Sequence, residues 1–142
     1  MSFISEFIII DDDKINNAVC RKVVADIYPT IEISDFIDSQ EGFKYIASKY
    51  SKAKNDKTAI LFLDISMPEM DAWQFLEQFE KLDASVKNHV KIYVLSQSEN
   101  KDEITRMKSN KLVEYYLIKP LSHESIKLII NVLKKRLGLN ID

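Results

Sequence analysis

The chain has 142 residues, 46% of them hydrophobic, which is enough to bury one sizeable core and too few to expect two. Its 20 basic and 22 acidic residues give a net charge of -2 with no Lys/Arg run of phosphate-backbone density, so no direct nucleic-acid partner is expected. The single cysteine, Cys20, excludes an intramolecular disulfide, and an N-terminus that runs into three aspartates resembles neither a signal peptide nor a membrane span; the expectation is a cytoplasmic protein with no membrane partner.

Apolar runs of strand length alternate with segments of helical period five times, which predicts an α/β fold, a doubly wound parallel sheet with helices on both faces. The first strand is expected over residues 6–11 and the first helix over residues 14–27, with Ile15, Val19, Val23 and Ile27 on its buried stripe and Tyr28-Pro29 closing it. Residues 30–36 alternate Ile31 and Ile33 with polar neighbours, as an edge strand does, and Phe43, Ile46, Ala47 and Tyr50 mark the second helix. A polar linker over residues 52–57 precedes a continuously apolar strand, residues 59–63, as expected at the centre of a sheet covered on both faces.

The third helix takes its stripe from Ala72, Phe75, Leu76 and Phe79, and the fourth strand covers residues 91–95. Ser98 is the expected cap of a fourth helix running to about residue 110, whose apolar content, Ile104 and Met107, is thin enough to predict a loosely held element. The fifth strand is residues 115–118; the last helix starts after Ser122, carries Ile126, Ile129, Ile130, Leu133 and Leu137 in register, and ends at Gly138. With no repeat or interdomain linker, one domain over residues 1–142 with no output domain is expected.

In an open parallel sheet, ligands bind beyond the carboxyl ends of the strands, so the last residue of each apolar run is the informative one. The first strand ends in Asp11 and Asp12, the third in Asp64, the fourth in Ser96, and the fifth in Lys119 before Pro120. Carboxylates gathered at one edge repel, and a divalent cation resolves the conflict; oxygen ligands suit Mg²⁺, which is commonly completed by phosphate oxygens. Ser96 and Lys119 would face the same phosphate, and an aspartate can itself become an acyl phosphate, with metal and lysine neutralising the transferred charge.

Four motifs occur in order: Ile9-Ile10-Asp11-Asp12-Asp13; Leu63-Asp64-Ile65-Ser66-Met67-Pro68-Glu69-Met70-Asp71; Val94-Leu95-Ser96; and Ile118-Lys119-Pro120. Together they resemble the receiver domain of the bacterial two-component response regulators, across essentially the whole chain. The resemblance implies a CheY-like, flavodoxin-like (βα)5 sheet of strand order 2-1-3-4-5 and a stand-alone receiver. It also implies that Asp64 accepts a phosphoryl group from a histidine kinase or a histidine phosphotransfer protein. Asp12, Asp64 and the backbone carbonyl of Ser66 would bind Mg²⁺, with Asp11 assisting partly through water. Ser96 would bond one phosphoryl oxygen and Lys119 another, while Pro120, usually preceded in the family by a cis peptide, shapes the loop that aims the lysine. Tyr116 holds the position of the family's aromatic switch, which turns inward with Ser96 and changes the partner preference of the surface of the fourth helix, fifth strand and fifth helix. Such a protein is not a conventional enzyme, because it catalyses its own phosphorylation and dephosphorylation.

Some positions depart from the family pattern. Ala72 stands where glycine is common, so the third helix must be entered without a strongly positive φ. Gln97 follows the switch hydroxyl where a small residue is usual, its bulk narrowing access to the phosphoryl group, and Ser66 and Ser98 occupy positions that tune self-hydrolysis. Two other functions stay open at this point. Asp11-Asp12-Asp13 also satisfies the Asp-x-Asp of a haloacid-dehalogenase-type phosphohydrolase with Asp11 as nucleophile, although the flanking residues depart from that motif; a phosphorylation-independent binding module is the other. Asp13 is read as a cap, Met67, Met70 and Trp73 as packing residues, His89 and His123 as solvated, and either Tyr115 or Tyr116 as the inward aromatic.

Overall fold

The structure is a computed structural model that describes residues 3–51 and 56–141. Its strands are β1 (Phe3–Ile10), β2 (Glu32–Phe36), β3 (Lys57–Leu63), β4 (Val90–Ser96), β5 (Val113–Ile118) and a short β6 (Asn140–Ile141). The helices are α1 (Lys14–Ile27), α2 (Ser39–Tyr50), α3 (Ala72–Glu80), α4 (Ala84–His89), α5 (Lys101–Lys108) and α6 (His123–Leu137). Every strand pairing is parallel, in the order β2-β1-β3-β4-β5, with β6 added beside the start of β1. This is the doubly wound sheet expected, with β2 at the edge. Most of the polar linker predicted over residues 52–57 lies outside the described residues, and Lys57 already opens β3.

Alternate residues of the strands feed two cores. Ile8, Ile10, Leu61, Leu63, Ile92 and Val94 pack with α2, α3, α4 and α5, whereas Phe7, Ile9, Ile60, Phe62, Tyr93 and Leu95 pack with α1 and α6. That double burial is why the central strands read as unbroken apolar runs. Ala72, Phe75, Leu76 and Phe79 are all buried on α3 as expected, and Asp71 starts that helix with a reciprocal capping box to Gln74. Among the described residues no non-glycine residue has a positive φ, so Ala72 enters α3 without strain; Gly138 closes α6 at φ 66° as predicted.

Several expectations fail for identifiable reasons. On α1 Ile15 is 76% and Val19 37% exposed, while Asn16, Asn17, Cys20, Val23 and Val24 are buried. The helix is rotated from its apolar stripe because Asn16 and Asn17 are needed as donors beneath Asp11. Asn100, not Ser98, caps α5, accepting from Glu103 N at 3.0 Å; the Ser98 N–H donates instead to Ser96 Oγ. Leu137 is 44% exposed in the last turn of α6. His89, read as solvated, is buried at the end of the unpredicted α4, where its ring Nδ1 meets the Ser85 carbonyl.

The sequence also hides a buried acid. Glu6 is fully buried within β1, where its carboxylate accepts from Tyr50 Oη at 2.6 Å, from Tyr45 Oη and from Ser34 Oγ, and pairs with Lys49 Nζ at 3.1 Å. Burial and the neighbouring Glu6 charge hold the Tyr50 phenol well above its ordinary value. The network ties α2 to the sheet at the half of β1 remote from the strand ends that carry Asp11 and Asp64.

Candidate functional site

Two backbone links place the strand ends side by side. Asp64 N donates to Ile10 O at 3.0 Å, and Lys119 N donates to Ser96 O at 2.9 Å. The consequence is convergence at one edge: Asp11, Asp12 and Asp64 each offer a carboxylate oxygen within 4.8 Å of the others. Asp11, Asp64 and Ser96 are buried and Asp12 is exposed, so the group opens to solvent on one side.

Lys119 Nζ lies 2.7 Å from Asp11 Oδ2 and 3.2 Å from Asp64 Oδ1, with only 11% of its side chain exposed. Burial works against that ammonium, but the hydrogen bond to Asp11 and the charges of both carboxylates outweigh it and hold Lys119 above its usual value. For Asp64 the balance goes the other way. Burial, then the Asp11 charge, push its carboxyl from 3.8 up to about 6, against the pull of Lys119. A cation would relieve this strain, and three hard oxygen donors so close together with an open side fit Mg²⁺, which keeps part of its water shell.

Asp13, as expected, is a cap, accepting from Ile15 N at 2.9 Å and Asn16 N at 3.3 Å. The Lys119-Pro120 peptide is cis. Tyr116 is buried, its hydroxyl donating to Ser98 O at 3.4 Å, and Tyr115 is the outward ring at 62% exposure. Gln97 is exposed beside the edge, and Ser66 lies on the rim. A cavity of about 440 Å³ is lined by Asp12, Ser66, Met67, Asp71, Trp73 and Glu103, bringing the first turn of α5 to the border of the acidic site. Met67 and Met70 pack in the core, and Trp73 carries the Arg106 guanidinium 4.1 Å above its ring. His123 is half exposed and pairs with Asp26 at 3.1 Å.

Neither Glu103 nor the two asparagines of α1 stood out in the sequence. Asn16 Nδ2 donates to Asp11 Oδ2 at 2.8 Å, and Asn17 Nδ2 to the Asp11 backbone carbonyl at 3.0 Å. The signal that could have found them is positional: polar residues three and four places after Asp13 on a helix whose other sheet-facing residues are apolar.

The response regulator receiver domain family matches residues 7–131. The chain belongs to that family. A two-component response regulator from Cytophaga hutchinsonii shares this receiver's fold with a TM-score of 0.82 at 22% identity, covering 94% of this chain and 99% of that one. Vibrio cholerae chemotaxis protein CheY4 superposes with a TM-score of 0.67 at 18% identity, covering 91% and 98% respectively. The Stress response regulator protein 1 of Lodderomyces elongisporus is 24% identical over 119 residues, 84% of this receiver but 30% of that protein, so the chain spans about a third of its curated relative. Membership removes the main support for the phosphohydrolase alternative, whose Asp11 nucleophile is moreover held by three donors, Asp13 N, Asn16 Nδ2 and Lys119 Nζ. Among the described residues no helix is long and apolar enough to cross a membrane.

Proposed function

We propose that this receiver accepts a phosphoryl group on Asp64 from a histidine kinase or a histidine phosphotransfer protein and signals through a protein-binding surface biased by that modification. The observation that carries the reading is the Lys119 ammonium shared between Asp11 and Asp64, with Asp12 beside them. An Asp64 oxygen attacks phosphorus; an O–P bond forms as the P–N bond of a phosphohistidine breaks, and the imidazole leaves with that electron pair and takes up a proton from solvent. Asp12, Asp64 and the Ser66 carbonyl would hold Mg²⁺, with Asp11 assisting partly through water. The ion supplies charge neutralisation at the phosphoryl oxygens. Lys119 and the Ser96 hydroxyl take the remaining oxygens, and Pro120 sets the direction of the lysine.

Ser96 Oγ accepts from Ser98 N at 3.1 Å, and the Ser98 carbonyl accepts from Tyr116. A pull on Ser96 is therefore felt at the aromatic switch. From there it reaches α5, which buries only Met107 and is the helix most easily displaced. The receiver would present Tyr115 and Leu128 of the β5 and α6 surface, both strongly exposed, to an output partner.

Intact-mass measurement and peptide mapping after incubation with Mg²⁺ and phosphoramidate, on the wild type and Asp64→Asn, test the reading. One alkali-labile phosphoryl group on Asp64, absent from the variant, is expected. An adduct on Asp11 would return the assignment to the hydrolase, and no adduct on wild type or Gln97→Ala would point to a phosphorylation-independent module.

A further inference from the structure

Asn16 is a polar side chain on the buried face of α1, 8% exposed, and its amide nitrogen is directed at two acceptors. Asn16 Nδ2 donates to Asp11 Oδ2 at 2.8 Å and approaches Cys20 Sγ at 3.7 Å. The same Asp11 oxygen receives Lys119 Nζ at 2.7 Å, while Asp11 Oδ1 accepts from Asp13 N at 2.9 Å. Three donors thus clamp one carboxylate that is 1% exposed.

Two of those donors are fixed, Asp13 N by the backbone and Asn16 by its place on the packed face of α1. Lys119 is the movable one, on a flexible stem and already divided between Asp11 and Asp64. A phosphoryl group on Asp64 adds negative charge and strong acceptors within its reach and draws the ammonium toward them. Asp11 Oδ2 then loses its charged donor, and without Asn16 it would be a buried acceptor with no partner, which is costly.

We propose that Asn16 is a positioning residue: it orients Asp11 and keeps Asp11 Oδ2 hydrogen-bonded when Lys119 turns to the phosphoryl group. The inference rests on Asp64 as phosphoacceptor and deepens that reading. Asn16 touches neither donor nor phosphoryl group; it acts through Asp11.

The test uses Asn16→Leu, which keeps the forked shape and removes the donor, with Cys20→Ala as the packing control. Mg²⁺ affinity is measured by calorimetry without phosphodonor, and phosphorylation by phosphoramidate across donor concentrations at saturating Mg²⁺. For Asn16→Leu, roughly tenfold weaker Mg²⁺ binding is expected, because removing the partner that orients a metal-ligating group has that order of effect. A roughly tenfold lower maximal rate with an unchanged donor KM is expected, as for loss of one hydrogen bond to a charged group. Cys20→Ala should match the wild type in both. Asn16→Ser, which retains a hydroxyl donor, should fall between, and it carries the test if the leucine variant fails to fold. Wild-type Mg²⁺ affinity and rate in Asn16→Leu, or an equal defect in Cys20→Ala, would overturn the proposal. An unphosphorylated wild-type Asp64 would overturn the phosphoacceptor reading instead, and the calorimetry alone would then decide whether Asn16 orients Asp11.

Discussion

Replacing the central carboxylate should make the metal-free protein more stable. In the folded chain burial and the neighbouring Asp11 charge raise Asp64 from 3.8 to about 6. Between those two values the native state binds a proton that the unfolded chain has released, so stability falls as pH rises through that window and the full penalty stands above it. A rise of this size corresponds to about 3 kcal/mol. Asp64→Asn removes the ionisable group and leaves Lys119 paired with Asp11 at 2.7 Å. In EDTA near pH 7 the variant should therefore gain on the order of 3 kcal/mol, an upward shift in midpoint of roughly 6–12 °C for a domain of this size. Below about pH 3 the gain should vanish, since Asp64 is then protonated in both states. Thermal and urea denaturation followed by circular dichroism over a pH series would measure it. Saturating Mg²⁺ should narrow the gap by stabilising the wild type through binding to the native state. A gain independent of pH, or a loss of stability near neutrality, would show that Asp64 is not the strained group described.

Two further substitutions probe how the sheet supports the site. Glu6→Ala removes the acceptor of the buried Tyr50 hydroxyl and should cost about 2–3 kcal/mol in urea denaturation, while Asp64 phosphorylation stays intact because the network lies away from the acidic edge. At Gly42 an added Cβ would stand 2.6 Å from Ile10 Cδ1, and Ile10 is fully buried directly before Asp11. Gly42→Ala should cost about 1–3 kcal/mol by overpacking, read as a lower denaturation midpoint with an unchanged slope.

The acidic edge was legible because its residues obey a simple geometric rule: they terminate apolar runs, and parallel strands end together. Asp11, Asp12, Asp64, Ser96 and Lys119 all lie where that rule puts them. The cap assigned to Asp13 and the closure at Gly138 were equally local, needing only the chain itself. The misreadings share the opposite property. The rotation of α1 depends on what Asn16 and Asn17 hold, a tertiary demand that overrides the apolar stripe of Ile15 and Val19. Glu6 looked like the polar start of a strand because its partners, Tyr45, Lys49 and Tyr50, come from a helix some forty residues away. His89 looked solvated because nothing nearby in sequence revealed that it would end a short helix, α4, packed against the core.

The chain has one tryptophan, and Trp73 stands between the cavity containing Asp12 and the guanidinium of Arg106 on α5. Its emission is thus a built-in optical channel, assignable to a single ring without any label. Because Trp73 lines the cavity containing Asp12 and its face lies beneath Arg106, an occupant of the site and unstacking of α5 should each change its emission. Rapid-mixing fluorescence can therefore order the two events in time.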